Sequence, residues 1–379
     1  MNKENRKKIL FNTVNITNWI GGIYYVKNII NLIMHSEKLR TQYEIHLLVS
    51  SKNRDVFKEY ENIIVIKEID IRNNYLEGIY FVFYMLKNKI DYWYAVSSNI
   101  IERVLVSKAI FWIPDFQYLY FPEYFSSVEK KIRDHYARYI SKKKNYLVLS
   151  SNAAYEDFRE FYKNSESTCI VVHFTSDIVN IVSSISQDEE KEILKKYKLK
   201  RNNYIYIPNQ FWQHKNHLVV LQMIEKYMSK RKSNVQFVFT GQMYDYRNKE
   251  YAELIERYFT KNELKDNIKN LGLIDRREQL IIMKNAMFLI QPSLFEGWGT
   301  VLEDAKVLDK RVILSDIKVH IEQKYEKCIL FKKDSADDLM NKVIFFMGQP
   351  NTDNMNEGIK RFHRDSKEYA RKLEKVFLK

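Results

Sequence analysis

At 379 residues the chain exceeds what one hydrophobic core usually organises, and 45% apolar residues exclude a disordered chain. With 62 basic against 48 acidic residues the net charge is +14, which favours anionic partners such as nucleotides, lipid headgroups or nucleic acid. No zinc-finger spacing or RNA-recognition signature accompanies the charge, so no nucleic-acid partner is expected.

The chain opens Met1-Asn-Lys-Glu-Asn-Arg-Lys-Lys and passes into Ile9-Leu-Phe without a secretory pattern. No apolar run approaches the roughly 18 residues of a membrane-crossing helix. In the first half, strands are expected at Lys8–Val14, Tyr43–Val49, Ile63–Ile66, Ile110–Ile113, Tyr146–Ser150 and Ile170–Phe174. In the second half they are expected at Tyr204–Ile207, Val235–Thr240, Ile268–Leu271, Met287–Ile290, Arg311–Ser315 and Ile329–Phe331. Their nearly continuous apolar runs suit strands covered on both faces. Helical periods at Gly22–Ser36, Leu218–Lys230 and Tyr251–Tyr258 separate them, so the grammar is that of doubly wound parallel sheets. The alternation breaks once, in the polar stretch after Phe174, and restarts at Tyr204. We therefore expect an α/β protein with an N-terminal domain at 1–185 and a second domain at 186–355. Cys169 and Cys328 lie far apart in apolar runs and read as buried free thiols, in keeping with a cytoplasmic setting.

Several segments are candidates for chemistry. Gly21-Gly22 follows the opening strand, either as a common glycine turn or as a close backbone approach to a phosphate. In Trp112-Ile-Pro114-Asp115-Phe-Gln117-Tyr118, Asp115 either caps a turn after Pro114 or orients a ligand hydroxyl. The stretch Val128–Lys144 reads as a basic amphipathic helix with Val128, Ile132, Tyr136, Tyr139 and Ile140 on one stripe. Its basic face is either simply solvated or a headgroup-binding surface. Further along stand Gln210 and Lys215, five residues apart after a strand, and then Gly272-Leu273-Ile274.

The most informative stretch is Gln291-Pro-Ser-Leu-Phe-Glu296-Gly297-Trp298-Gly299-Thr300-Val-Leu-Glu303-Asp304. A strand runs into a loop with one acid and two glycines, and a helix starts near Thr300. Glycines admit a ligand close to backbone N–H groups, and a helix N-terminus favours an anion. The plainer alternative is a glycine-eased turn with a solvated acid. Thr300-Val-Leu-Glu303 is also a capping box, with Thr300 as N-cap and Glu303 bonding back.

These residues resemble glycosyltransferase family 4, whose members carry Pro-Ser-x-x-Glu-Gly-(Phe/Trp)-Gly and a second acid eight residues after the first. The resemblance implies a GT-B fold, with two facing Rossmann-like domains, a cleft between them, and a last helix (356–379) packing back on the first domain. It implies a retaining transfer from a nucleoside diphosphate sugar, with Glu296 on the donor sugar near the reacting carbon. Asp304 stands at the second acid, which binds the ribose, with Glu303 beside it as the competing candidate. Lys215 matches the lysine that holds the diphosphate, and Gln210 replaces the usual arginine. Leu273 and Ile274 fall where backbone groups hold the base, and Gly21 and Gly22 fall in the loop facing the donor phosphates. Asp115 and Tyr118 lie in the segment near the acceptor. No cofactor is implied, and without an Asp-x-Asp pair no metal-bridged diphosphate is expected. The basic first half favours a lipid-linked saccharide acceptor, as in surface-polysaccharide synthesis, at the cytoplasmic membrane face. Rival readings are a GT-B sugar-nucleotide epimerase and a non-catalytic basic nucleotide- or nucleic-acid-binding module.

Overall fold

A computed structural model describes residues 6–16, 19–71, 73–96, 101–231, 233–243 and 248–378. The chain divides into two compact units. Unit 1 comprises 1–116, 127–175 and 364–379; unit 2 comprises 117–126 and 176–363.

Unit 1 is built on β1 (Lys7–Asn12), β2 (Tyr43–Val49), β3 (Val65–Glu68), β4 (Tyr92–Ala95), β5 (Ala109–Ile113), β6 (Tyr146–Leu149) and β7 (Thr168–Val171). All pair in parallel, in the order β3-β2-β1-β4-β5-β6-β7. The apolar residues of β1, β2 and β5 are buried on both faces of the sheet, which is why they read as unbroken apolar runs. Two strands are displaced from expectation. Ile63 and Ile64 instead belong to a turn whose amides bond the Tyr60 carbonyl, so β3 starts at Val65. β7 ends at Val171, before the apolar run does. One strand, β4, was not expected at all. The C-terminal helix Met355–Phe377 enters this unit at Arg364, where Ser36 Oγ donates to Glu374 at 2.7 Å and the Tyr43 hydroxyl bonds the Phe377 carbonyl.

Unit 2 is built on β8 (Tyr204–Pro208), β9 (Gln236–Thr240), β10 (Ile268–Asn270), β11 (Phe288–Gln291), β12 (Val312–Ser315) and β13 (Cys328–Phe331). These too are parallel, in the order β10-β9-β8-β11-β12-β13. One face of the sheet packs on the helices His217–Lys230 and Ala336–Met347, the other on Arg276–Asn285 and Thr300–Val307. Successive strands run outward from β8 in one direction and from β11 in the other. The strand order therefore reverses between β8 and β11, the place where open α/β sheets bind ligands beyond their carboxyl ends.

Both cysteines are free and half-buried; burial pushes Cys169 up to about 11 and Cys328 up to about 12. Among the described residues no helix is long and apolar enough to cross a membrane.

Candidate active site

The loops that leave β8 and β11 carry Lys215 and Glu296. After β8 the chain makes a short 3-10 turn, Gln213–Lys215, and Asn216 takes a left-handed conformation (φ 53°) before the helix His217–Lys230. The Leu294 amide donates to the His214 carbonyl at 2.7 Å and ties the two loops together. Lys215 Nζ then meets Glu296 Oε1 at 2.6 Å, with the side chains 17% and 10% exposed. Ser293 Oγ donates to the same oxygen at 2.7 Å. Behind them Ser315 Oγ bonds the Ser293 carbonyl, and the His320 ring lies 3.0 Å from Ser315 Oγ. A largely buried carboxylate is thus held by one cation and one hydroxyl, on a loop fixed from below. Beside it, the segment 117–126 lays Tyr120 and Phe121 against Phe295, with ring centroids 5.5 and 6.1 Å apart.

The helix after this loop differs from the expected capping box. Its N-cap is Gly299, and Thr300 is already the first helical residue. Gln323 supplies what the box would have: its Oε1 accepts from the Gly299 amide at 3.0 Å. Its Nε2 donates to the Gly299 carbonyl at 2.8 Å and to Glu303 Oε1 at 2.7 Å. Lys306 Nζ also reaches Glu303, at 3.1 Å. Two consequences follow. The Gly299 amide is already engaged, so it is not an open anion donor, and the Glu303 carboxylate is held inside the protein.

Asp304 sits differently. Arg276 Nη2 donates to its Oδ1 at 2.7 Å, and Ser176 Oγ bonds the same oxygen. Its Oδ2 is enclosed and has no hydrogen-bond partner. A buried carboxylate oxygen left unpaired costs free energy and is a place where a ligand hydroxyl would be welcome.

The remaining sequence-derived candidates are spread around this centre. Gln210 Oε1 accepts from the Gln242 amide at 2.8 Å, so this side chain braces the loop after β9. Leu273 points to solvent, whereas Ile274 packs on the unit 2 core, and Gly272 between them and β10 is left-handed (φ +66°). Trp298 is buried. Gly21 and Gly22 belong to unit 1 and lie inside the first turn of the helix Ile20–His35, not in a turn before it. A Cβ on Gly22 would come within 2.4 Å of the Trp19 ring, so the packing of Trp19 already explains this glycine. Asp115 is half-buried in unit 1, just after β5, while Tyr118 is buried in unit 2. Ser293, Arg276, Gln323 and Ser176 were not singled out by sequence. Only Ser293 carried a signal, as part of the Pro-Ser step before Glu296.

Residues 188–372 match the model of the family described as glycosyl transferases group 1. Over those residues, just under half of the chain, the sequence is similar to that family. The segment holds Lys215, Glu296 and Asp304, with Ser293 and Arg276 beside them. No curated protein matches the sequence. Among solved structures, a glycosyltransferase from Rickettsia africae shares 14% identity at a TM-score of 0.68, covering 96% of this chain and 99% of that one. Alr3699/HepE of Anabaena, solved in complex with UDP and glucose, shares 13% at 0.68, covering 96% and 95%. A sucrose-phosphate synthase from Thermosynechococcus elongatus shares 14% at 0.68, covering 97% and 94%. At such identity the likeness is one of fold, the α/β class with two parallel-sheet Rossmann-like domains found in GT-B glycosyltransferases.

Proposed function

We propose that this protein is a glycosyltransferase that moves a sugar, with retention, from a nucleoside diphosphate sugar to a lipid-linked saccharide during surface-polysaccharide synthesis. The observation that carries the donor reading is the Lys215–Glu296 pair at the point where the unit 2 strand order reverses. Lys215 and the N-terminus of the helix that starts at Thr300 offset negative charge building on the leaving diphosphate. Glu296 binds the sugar hydroxyls. Asp304, through Oδ2, takes a ribose hydroxyl in preference to Glu303, whose carboxylate is already satisfied. Leu273 and Ile274 lie where the base would be held. On unit 1, Asp115 and the helix start at Gly21-Gly22 are the candidates for contacts to the acceptor hydroxyl and to phosphate. In the transfer the acceptor oxygen bonds the anomeric carbon as the carbon–phosphate-oxygen bond breaks. The acceptor proton passes to the departing phosphate oxygen on the same face. The UDP and UDP-glucose complexes of the Anabaena relative support a UDP-sugar donor. The basic surface supports a protein peripheral on the cytoplasmic membrane face.

A thermal-shift panel of sugar nucleotides tests the donor reading, because a ligand of the native state raises apparent stability by mass action. At least one should stabilise the protein and be consumed with release of nucleoside diphosphate; stabilisation by none overturns the reading. Lys215→Ala should weaken nucleoside diphosphate binding by about 1.5–3 kcal/mol, the range for hydrogen bonds to charged groups. Calorimetry showing unchanged affinity would place the diphosphate elsewhere. The sequence has no Asp-x-Asp pair, and among the described residues no three His, Cys, Asp or Glu side chains cluster as metal ligands would. On the metal-independent reading turnover should survive EDTA, and loss of activity restored by manganese would contradict it.

A further inference from the structure

The helix Asn74–Lys87 of unit 1 turns an apolar face to solvent. Its inner face packs with Phe81, Tyr84 and Met85, and its one acid, Glu77, is buried and accepts from Asn12 Nδ2 at 3.1 Å. On the outer face Tyr75 (66% exposed), Leu76, Ile79, Phe83 (56%) and Leu86 (63%) form a stripe along the helix. Lys87 is the only charged side chain that the helix itself adds to that face, and its Nζ lies 5.7 Å from the centre of the Phe83 ring. Soluble monomers rarely leave a contiguous apolar patch beyond a few hundred Å² without a use for it.

The surroundings say what covers it. The connections β3→β4, β4→β5 and β5→β6 all step the same way across the sheet. Right-handed crossovers therefore place Asn74–Lys87, the 3-10 segment Ile101–Lys108 and the helix Ser127–Ser141 on one face, side by side. Contacts agree: the Arg103 guanidinium stacks over Tyr139 at 4.9 Å and Tyr136 at 5.6 Å. Val104 on the middle segment is 75% exposed, and Val128 and Ile132 on the third element also face solvent. The expected apolar stripe of that helix is thus only half used: Ile140 is buried, whereas Val128 and Ile132 stand outside. Between 127 and 144 there are seven Lys or Arg and two acids, a net charge of +5. A second copy docked about a two-fold axis would set this charge against itself. An anionic surface complements it.

We infer that the outer face of Asn74–Lys87 is a membrane-insertion surface, lying in the headgroup region of an anionic bilayer and flanked by the basic helix Ser127–Ser141. The aromatic and aliphatic side chains enter the acyl boundary, while the lysines stay with the headgroups. This rests on the membrane-surface part of the function proposed above and adds an apolar, salt-resistant anchor to its electrostatic attraction.

The test is co-sedimentation of the full chain with phosphatidylglycerol–phosphatidylcholine vesicles at low salt and in about 1 M salt, where the Debye length falls to about 3 Å. The wild type should bind at low salt and retain part of its binding at high salt. Leu76→Ser, Ile79→Ser and Phe83→Ser together should lower partitioning at least about tenfold and abolish the salt-resistant part, as loss of apolar burial demands. Consumption of sugar nucleotide should stay at the wild-type level. A separate Phe83→Trp variant should gain fluorescence that brominated lipid quenches. Salt-resistant binding unchanged in the triple variant, or no quenching of Trp at 83, overturns the inference. A dimer in solution that the triple variant makes monomeric assigns the face to a second copy and overturns it too. If replacing Lys142, Lys143 and Lys144 by Ser releases the protein while the apolar variant does not, the inserted face fails and the membrane reading stands. No vesicle binding by the wild type sinks both.

Discussion

Replacing Glu296 by Gln is expected to lower turnover at saturating donor about a hundredfold or more while the fold stays intact, the scale of losing a contact made mainly in the transition state. Geometry makes this substitution informative. The carboxylate shares one oxygen between Lys215 Nζ at 2.6 Å and Ser293 Oγ at 2.7 Å. A glutamine carbonyl accepts from both donors, so the loop keeps its bonds and loses only the negative charge. On the proposed reading that charge has two uses: holding Lys215 in place before donor binds, and offsetting positive charge on the sugar ring as its bond to phosphate lengthens. Removing it leaves a lysine free to bind diphosphate more tightly. The expected signature is therefore a large fall in kcat with KM for donor unchanged or lower. Turnover near that of the wild type, or a rise in KM alone, would remove Glu296 from the reacting centre.

How far such a site could be read from sequence depended on how local its determinants are. Lys215 and Glu296 were legible because each follows a buried strand at fixed spacing within one short segment. Their meeting was not, since it depends on β8 and β11 lying side by side, although residues 209–287 separate the two strands. The role of Glu303 was misread for the same reason: Thr300 and Glu303 have the right spacing for a capping box, yet Gln323, 20 residues on, takes the contacts. Glu303 and Asp304 are also neighbours on one helix and point about 100° apart, so only the fold separates their partners. The strand β4 escaped because Tyr92-Trp-Tyr-Ala is short and follows a polar, charged stretch. It lies beside β1 near the sheet centre, where the Tyr94 hydroxyl meets that of Tyr25 at 2.7 Å. Aromatic content, not alternation, was its one signal.

Unit 2 is expected to lose about 4 kcal/mol of stability between pH 6.5 and about 5, above the range where ordinary carboxylates titrate. Two histidines set this. His217 opens its helix stacked on Phe211, with centroids 4.3 Å apart, and burial, aided by the nearby Lys215 charge, lowers its pKa to about 3. His320 lies under the Glu296 loop, where burial lowers it to about 4; the Glu296 charge and the Ser315 backbone oppose that shift, and Lys215 adds to it. In both cases the folded pKa lies below the unfolded value of 6.5. The unfolded chain therefore takes up protons first as pH falls, and stability drops through the window from 6.5 down to each folded pKa. At about 1.36 kcal/mol per unit, the two together cost about 4 kcal/mol by pH 5 and more below it. Whole domains have only about 5–15 kcal/mol in hand, so this loss is a large share of it. Because both rings adjoin Lys215 or the Glu296 loop, activity should fall along the same limb as folding. Urea denaturation followed by circular dichroism across pH 7 to 4.5 measures the slope. His217→Phe, which keeps the ring stack without a titrating group, should remove about half of it and move the acid midpoint down. A flat profile above about pH 5, or an unchanged slope in that variant, would show that neither buried imidazole governs the acid limit.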